Sequence, residues 1–472
     1  MAAPVGMRDV RGAVLQGLAG SVLVAVAAMD GGALLQRDLG SDPWPIPLPH
    51  VPGSGSGSVL PVLVAFYAGI VLLVRGWLAL RRHRPPARVT LAVAALWALP
   101  LLVSPPIGSR DAYSYVAQGS VVDQGLSAYD HAADDLPPGG VRDGVDPLWF
   151  TVPTPYGPVW VRLAATAAAL PGDQPFVGVL AVRFLAVVGV GLVAFGLPRL
   201  ATRLGTDPDD ALVLGVANPL VIVHLIGGAH NEALLAGLVV CGYAVAATRK
   251  RYLGVVIATV AGAVKVPGLI AAAMLGWGAP EGTPWSARVK PVAIAGFVAA
   301  ATITVCSLAT LLGFGWVQSA IAPGLVTSWA APTNYLGDVI GHDLAQKVGL
   351  VAAGALAARW TWRAREADAD AAGSTLLAFA ILGPALHPWY ILWGLPLLVA
   401  ARAGRPNRGL VLLSIGAVLA GHLGSGPFIA QLDDEPIVAV VLCAAAVAAL
   451  AFSSADLRDQ FRREPAAAPT TT

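Results

Sequence analysis

The chain has 472 residues, of which 56% are hydrophobic and only 12% charged, with a formal net charge of +2. A soluble protein carries about 25% charged residues, so a soluble globular fold is excluded, and the small net charge argues against a nucleic-acid partner. A mean hydropathy of +0.69 and repeated long apolar runs point to an all-α polytopic membrane protein. The apolar runs fall at 13–30, 59–80, 88–104, 177–198, 211–226, 231–248, 252–264, 267–279, 291–312, 343–360, 374–386, 389–401, 409–424 and 435–452, giving about 13–14 spans. Residues 1–12 are expected to form a cytoplasmic N-terminus, 13–452 a single transmembrane domain, and 453–472 a cytoplasmic tail, partly disordered. Arg8 and Arg11 precede the first run and no small-residue cleavage site follows, so this run reads as a retained helix. Cys241, Cys306 and Cys443 each lie inside an apolar run, without metal-ligand spacing, and read as small buried hydrophobes.

With the N-terminus inside, the basic clusters at 81–84, 199–203, 249–251, 288–290, 359–365 and 402–408 all fall on the inner side, as the positive-inside rule requires. That layout makes residues 159–170 an interfacial helix: the run is short, contains Arg162, and is bounded by Pro158 and Pro171. It also makes 252–279 and 374–401 two pairs of short helices. Their apices, Lys265-Val266-Pro267 and His387-Pro388-Trp389-Tyr390, then reach the outer face, and proline at each frees carbonyls that need polar company.

The largest outer loop, 105–176, holds Asp111, Asp123, Asp130, Asp134, Asp135, Asp143, Asp146 and Asp173. After Pro105-Pro106 stops the third span, Gly108-Ser109-Arg110-Asp111 opens a segment in which Tyr113, Val116, Ala117 and Val121 mark an amphipathic helix on the membrane. Ser109 or Asp111 would be its N-cap, and capping accounts for an aspartate there without any further role. Gly227-Gly228-Ala229-His230-Asn231-Glu232 is a tight link, but three consecutive polar side chains exceed what a turn requires. Lys265 is costly inside an apolar run. Snorkelling would explain it, but the proline beside it favours an ammonium facing a cavity, where it could hold a phosphate. An aromatic belt accounts for Trp329, and Asn334 adds hydrogen bonding suited to a hydroxyl-rich ligand. His387, Trp389 and Tyr390 at a helix break exceed a belt's needs, while Thr154-Pro155-Tyr156-Gly157-Pro158 reads as a rigid turn first and a site wall second. There is no P-loop, no G-x-G-x-x-G and no zinc motif, so soluble-nucleotide chemistry has no support.

Several of these segments share one resemblance. Residues 109–119, 153–160, 227–232, 264–267, 332–335 and 386–390 resemble the actinobacterial polyprenyl-phosphomannose-dependent α-(1→6)-mannosyltransferases. These are integral membrane glycosyltransferases of the GT-C class, and the likeness runs from about residue 13 to 452. It implies a GT-C-like fold with interfacial helices in the large first outer loop. It also implies an inverting transferase working on the extracytoplasmic face of the plasma membrane. Its partners would be a lipid-linked sugar donor, polyprenyl-phosphate-mannose, and a glycolipid or mannan acceptor, the α-(1→6) backbone of lipomannan and lipoarabinomannan. Two paralogues build that backbone, and the reading leans to the one that starts it. Asp111 matches the essential aspartate of GT-C enzymes and is the expected catalytic base.

The remaining roles rest on the residues themselves. Lys265, Arg110 and His230 are expected at the donor phosphate. Tyr113, Tyr156, Asn231, Glu232, Trp329, Asn334, His387, Trp389 and Tyr390 are expected at the sugar and acceptor. No cofactor and no metal is expected, since one phosphate demands less of a metal than two. Two other readings stay open: a transferase using polyprenyl-phosphate-arabinose, and a lipid or solute transporter, which would call for polar residues near the bilayer midplane and related halves.

Overall fold

Inside a bilayer, a helix satisfies every backbone N–H and C=O within its own segment, and the chain's Leu-, Val- and Ala-rich runs become helices. The computed structural model describes residues 6–8, 10–31, 44–52, 60–170, 175–319, 330–405, 407–420 and 436–453, with no strand among them. In chain order the main helices are α1 (Arg11–Gly31), α2 (Leu60–His83), α3 (Ala87–Val103), α4 (Asp111–Asp123), α5 (Pro158–Ala169), α6 (Pro175–Arg203), α7 (Pro208–Gly215), α8 (Glu232–Ala246), α9 (Arg251–Gly262), α10 (Pro267–Trp277), α11 (Trp285–Ala309), α12 (Pro332–Ile340), α13 (His342–Arg363), α14 (Ala369–Leu382), α15 (Leu395–Arg402), α16 (Arg408–Ala420) and α17 (Pro436–Ser453). Of these, α1, α2, α6 and α11 are each long and apolar enough to cross a membrane. A fifth candidate is the segment Val221–Gly227 joined to α8 through a bend of 116°. The chain is an all-α polytopic membrane protein.

Three sequence expectations are corrected in detail. The run 211–226 is not one continuous α-helix. It is α7, a break at Asn218-Pro219, and a π-helical turn over Val221–Gly227. Pro219 has no N–H to give, and Asn218 mends the ladder: Oδ1 accepts from Leu220 N at 2.9 Å, and Nδ2 donates to Leu214 O and Ser414 Oγ, each at 2.9 Å. The run 389–401 likewise begins as a 3-10 turn over Pro388–Trp393 before α15. The third correction concerns α4, which does not lie with one face on a membrane. Tyr113, Tyr115, Val116, Ala117 and Val121 are all buried, because α5 packs along one side and α6 along another. A β-carbon on Gly119 would stand 2.2 Å from the Ala164 carbonyl oxygen, so glycine is what lets α4 and α5 touch.

Helices α8, α10 and α14 set the axis of the molecule. Each runs from the basic connections at one end to Glu232, Lys265 or the His387 turn at the other. At the basic end, Arg81 Nε donates to Asp210 Oδ1 at 2.9 Å, Gly404 N to Asp210 Oδ2 at 2.7 Å, and Ala87 N to Asp209 Oδ1 at 2.8 Å. Connections that the charge pattern assigns to one side are therefore bonded to one another. With α8 spanning about 1.5 Å per residue, the two ends lie roughly 20 Å apart.

Candidate active site

Asp111 is the first residue of α4. The N-cap position falls on Arg110, which makes no side-chain cap bond, rather than on Ser109 or Asp111; Ser109, one residue earlier, accepts from the Asp111 backbone N–H at 3.0 Å. The Asp111 carboxylate is thereby left for other partners. Oδ2 accepts from Tyr115 OH at 3.4 Å. His230 Nδ1 lies 3.3 Å from the same oxygen, off the line of a straight hydrogen bond. Only 17% of the Asp111 side chain is exposed. Burial pushes this carboxyl up. The His230 imidazole beside it, with His387 and Lys265 adding, overcomes that and brings it down to about 2. Asp111 is thus a fixed carboxylate.

The link between Val221–Gly227 and α8 brings His230, Asn231 and Glu232 to the same place, all fully buried. His230 stacks on the Trp389 indole at 3.8 Å, and His387 stacks on that indole at 4.7 Å. Glu232 forms an ion pair with Lys265. The Lys265 ammonium also stands 4.5 Å from the centre of the Tyr390 ring, 5.3 Å from Tyr156 and 5.6 Å from Trp393. Burial works against the Lys265 charge, but Glu232, Tyr390 and Asp111 more than offset it and raise its affinity for the proton. Tyr156 reaches the cluster because its turn is sewn to the Lys265 apex: Gly157 N donates to Val264 O at 3.0 Å, and Val159 N to Ala263 O at 2.9 Å. A β-carbon on Gly157 would meet the Ala263 carbonyl at 2.2 Å. The turn is also tied to α4, where Thr154 Oγ1 donates to Gln118 Oε1 at 2.9 Å.

Buried polar groups are normally paired. Among the described residues, His230 Nε2, both amide atoms of Asn231, Glu232 Oε2 and His387 Nδ1 are buried without a hydrogen-bond partner. Such a set around one carboxylate and one ammonium is suited to a ligand rich in hydroxyls.

Asp111, Tyr156, His230, Asn231, Glu232, Lys265, His387, Trp389 and Tyr390 are brought together from distant parts of the chain. Three of them take surroundings other than those expected. Glu232 gives one oxygen to Lys265. Lys265 is not an open cation, because Glu232 and aromatic rings already surround it. Trp389 is 2% exposed and packed against two imidazoles, so it serves as a wall rather than an open stacking platform. Tyr113 and Arg110 face other neighbours. Tyr113 packs where a β-carbon on Gly144 would sit, since residue i+2 of a helix points away from residue i. The Arg110 charge acts on Tyr113 and Asp146. Asn334 sits on α12, whose Thr333 Oγ1 donates to Gly383 O at 2.9 Å, beside the His387 turn. Trp329 lies outside the described residues.

Two residues that matter to this geometry carry no sequence assignment. Tyr115, rather than Tyr113, touches Asp111, and its i, i+4 spacing was the available signal. Arg183, in the first third of α6, is 1% exposed. It donates to four carbonyls: Leu102 at 2.9 Å, Ser104 at 2.7 Å, Ile226 at 3.1 Å and Gly227 at 2.9 Å. A lone arginine in an apolar span is itself a warning that something is being held. Here it joins the end of α3, from which the chain leads to Asp111, to the turn that leads to His230.

A sequence profile described as "Alpha-(1->6)-mannopyranosyltransferase, N-terminal domain" matches residues 14–280, and one described as "MptB C-terminal domain" matches residues 320–455. The chain belongs to the alpha-(1→6)-mannopyranosyltransferase family. Alpha-(1→6)-mannopyranosyltransferase A of Mycobacterium tuberculosis is 31% identical over 432 residues, covering 84% of this chain and 81% of the relative. Alpha-(1→6)-mannopyranosyltransferase B of Corynebacterium glutamicum is 29% identical, covering 81% of this chain and 71% of the relative. No solved structure matches the chain. The family profile for the N-terminal domain spans Asp111, Tyr156, His230, Glu232 and Lys265, while His387, Trp389 and Tyr390 fall under the C-terminal one. The site of this mannopyranosyltransferase-family chain is therefore built from both matched regions.

His387 also makes the site sensitive to acid. Burial holds its pKa down to about 4, against an ordinary value of 6.5. The unfolded chain then takes up a proton below about 6.5 that the folded chain refuses until about 4, so stability is complete above 6.5 and falls across that window. Thermal unfolding in detergent is expected to show a loss on the order of 2 kcal/mol between about pH 7 and pH 5. His387→Gln should lose less over the same interval. Equal pH dependence in the two proteins would remove this role.

Proposed function

We propose that this chain moves mannose from polyprenyl-phosphate-mannose to a hydroxyl of a growing α-(1→6)-mannan, on the outer face of the plasma membrane. The observation that carries this reading is the Asp111 carboxylate, fixed by Tyr115 and His230 beside unpartnered polar groups and the Lys265 ammonium. Family membership adds the sugar, and the charge pattern adds the face.

A sugar hydroxyl is a poor nucleophile and needs a base within about 3 Å. In the proposed reaction Asp111 takes the hydroxyl proton as the acceptor oxygen bonds to the anomeric carbon. The bond from that carbon to the phosphate oxygen breaks, and its electron pair stays on the phosphate. One displacement inverts a β-linked donor to an α product. Lysine has three N–H donors. Those that Glu232 leaves unused face the leaving phosphate, where negative charge grows. Asn231, His387 and the second oxygen of Glu232 would bond sugar hydroxyls. The amide and imidazole would leave buried groups unpaired with a sugar lacking those hydroxyls, which is where discrimination is strongest. The proposed reaction needs no metal, because one phosphate is met by one ammonium.

The test uses purified protein in detergent with a short α-(1→6)-mannoside and radiolabelled polyprenyl-phosphate-mannose or polyprenyl-phosphate-arabinose. Transfer of mannose into an α-(1→6) linkage, undiminished by a metal chelator, is the expected result. Transfer of arabinose alone would replace the donor, and transfer of neither would overturn the reading.

A further inference from the structure

At the basic end of the bundle, three connections far apart in sequence enclose a cavity of about 150 Å³, room for roughly five waters at about 30 Å³ each. Its walls include Arg251 of α9, Trp277 of α10, Thr283, Arg288 of α11, and Glu366. Two N–H donors in these walls, Arg288 Nη1 and Trp277 Nε1, are buried with no hydrogen-bond partner among the described residues. Arg288 Nε reaches Thr283 O at 3.4 Å, and its guanidinium carbon stands 5.9 Å from the centre of the Trp277 ring. Arg251 is already engaged: it donates to Glu366 Oε1 at 3.0 Å and to the Gly278 carbonyl. Glu366 thus balances Arg251, and no carboxylate among the described residues pairs with Arg288. The cavity offers two unmet donors and one unbalanced positive charge.

Its surroundings say what kind of anion fits. Trp277, Trp285 and Trp362 gather beside it, with ring centres 5.3–6.0 Å apart. Trp285 is 56% and Trp362 63% exposed, as tryptophans are at the boundary of a bilayer. Helix α11 buries only Ala295 and Ser307, so nearly its whole length faces outward and would meet lipid. Lys290 near the start of α11, and Arg359 and Arg363 near the end of α13, lie at the same end, which the positive-inside rule assigns to the cytosol.

We propose that this cavity holds the phosphate of an anionic phospholipid from the cytoplasmic leaflet. Arg288 Nη1 and Trp277 Nε1 donate to its oxygens, and the acyl chains lie along the exposed face of α11. Basic pockets between helices on the cytoplasmic side take such headgroups, and a free phosphate would make no use of the exposed Trp285 and Trp362 or of the lipid-facing helix.

The test places the full chain in nanodiscs containing phosphatidylcholine and phosphatidylglycerol in equal amounts, and measures retained lipid by native mass spectrometry. Wild type is expected to retain phosphatidylglycerol at least fivefold over phosphatidylcholine. Arg288→Gln and Trp277→Phe should each lose that preference, and Lys290→Gln, outside the cavity walls, should keep it. Trp277→Phe preserves an aromatic ring and removes the N–H, and gel filtration with circular dichroism checks that each variant is folded. Equal retention of both lipids by wild type, or an unchanged preference in both folded cavity variants, overturns the proposal. So does inorganic phosphate raising the Tm of the detergent-solubilised protein as much as added phosphatidylglycerol does.

Discussion

Replacing Asp111 with asparagine is expected to lower kcat/KM for mannosyl transfer by about 10³, within the range set by general-base catalysis, while the protein still folds. Asparagine keeps the shape of the side chain, and its amide oxygen can still accept from Tyr115. What it lacks is a place for the hydroxyl proton. The carboxylate is already ionised far below neutrality, at about 2. Above its ordinary value of 3.8 it is charged in the folded and unfolded chain alike. Its contribution to stability is therefore complete there and lost only as pH falls toward 2. The rate of the free enzyme should then show no titration of Asp111 between about pH 5 and pH 8. Asp111→Glu restores the charge but displaces it by a methylene, for a loss of about 10². Single-turnover transfer of labelled mannose measures all three proteins. Wild-type activity in a folded Asp111→Asn variant would leave Asp111 without its role.

The second large effect is expected at Arg183. Replacing it with methionine keeps much of the volume and strips the Leu102, Ser104 and Gly227 carbonyls of their donor at once, while Ile226 O keeps Ala229 N at 3.3 Å. Each unmet buried acceptor costs about 1–3 kcal/mol, so the sum rivals a typical total stability of about 5–15 kcal/mol. Arg183→Met should fail to accumulate as folded protein, or unfold many degrees below wild type. Arg183→Lys separates stability from catalysis. An ammonium keeps the charge and can serve some of the carbonyls, but its three donors diverge from one point, whereas the guanidinium reaches two separate carbonyl pairs. The lysine variant should fold, with kcat reduced at least tenfold and donor KM little changed, because Asp111 and His230 lose their mutual register while the Lys265 surroundings persist. Unchanged kcat in Arg183→Lys would reduce Arg183 to a fold residue.

The contrast between Arg183 and Lys265 shows what the sequence makes legible. Both are single cations in apolar runs. Lys265 stands out because proline follows and breaks the helix. Arg183 lies in an unbroken run, and nothing nearby in sequence announces the carbonyls it binds, which come from segments some 80 residues before and 40 after it. Helical runs, their breaks and the polar apices follow from local hydropathy and proline chemistry. The pairing of Glu232 with Lys265, and the packing of imidazoles against Trp389, are tertiary and leave no local trace. Tyr115 is intermediate: helical periodicity points to it four residues after Asp111, and composition alone prefers neither it nor Tyr113. The π-helical turn at Val221–Gly227 follows from a proline legible in the sequence, but its geometry depends on Ser414, reached only after folding.

The contact between Gly157 and Ala263 has a consequence for how such enzymes can be recombined. Backbone meets backbone there, with no side chain to adjust. The long loop after α3 and the apex between α9 and α10 therefore behave as one interlocking part, though about a hundred residues of chain separate them. A chimera that takes residues 105–170 from one relative and keeps residues 261–268 of another would set two unmatched surfaces together, and Tyr156 would drift from Lys265. Moving both segments as a unit preserves the fit. The geometry of this site is thus best transplanted by joint, not loop by loop.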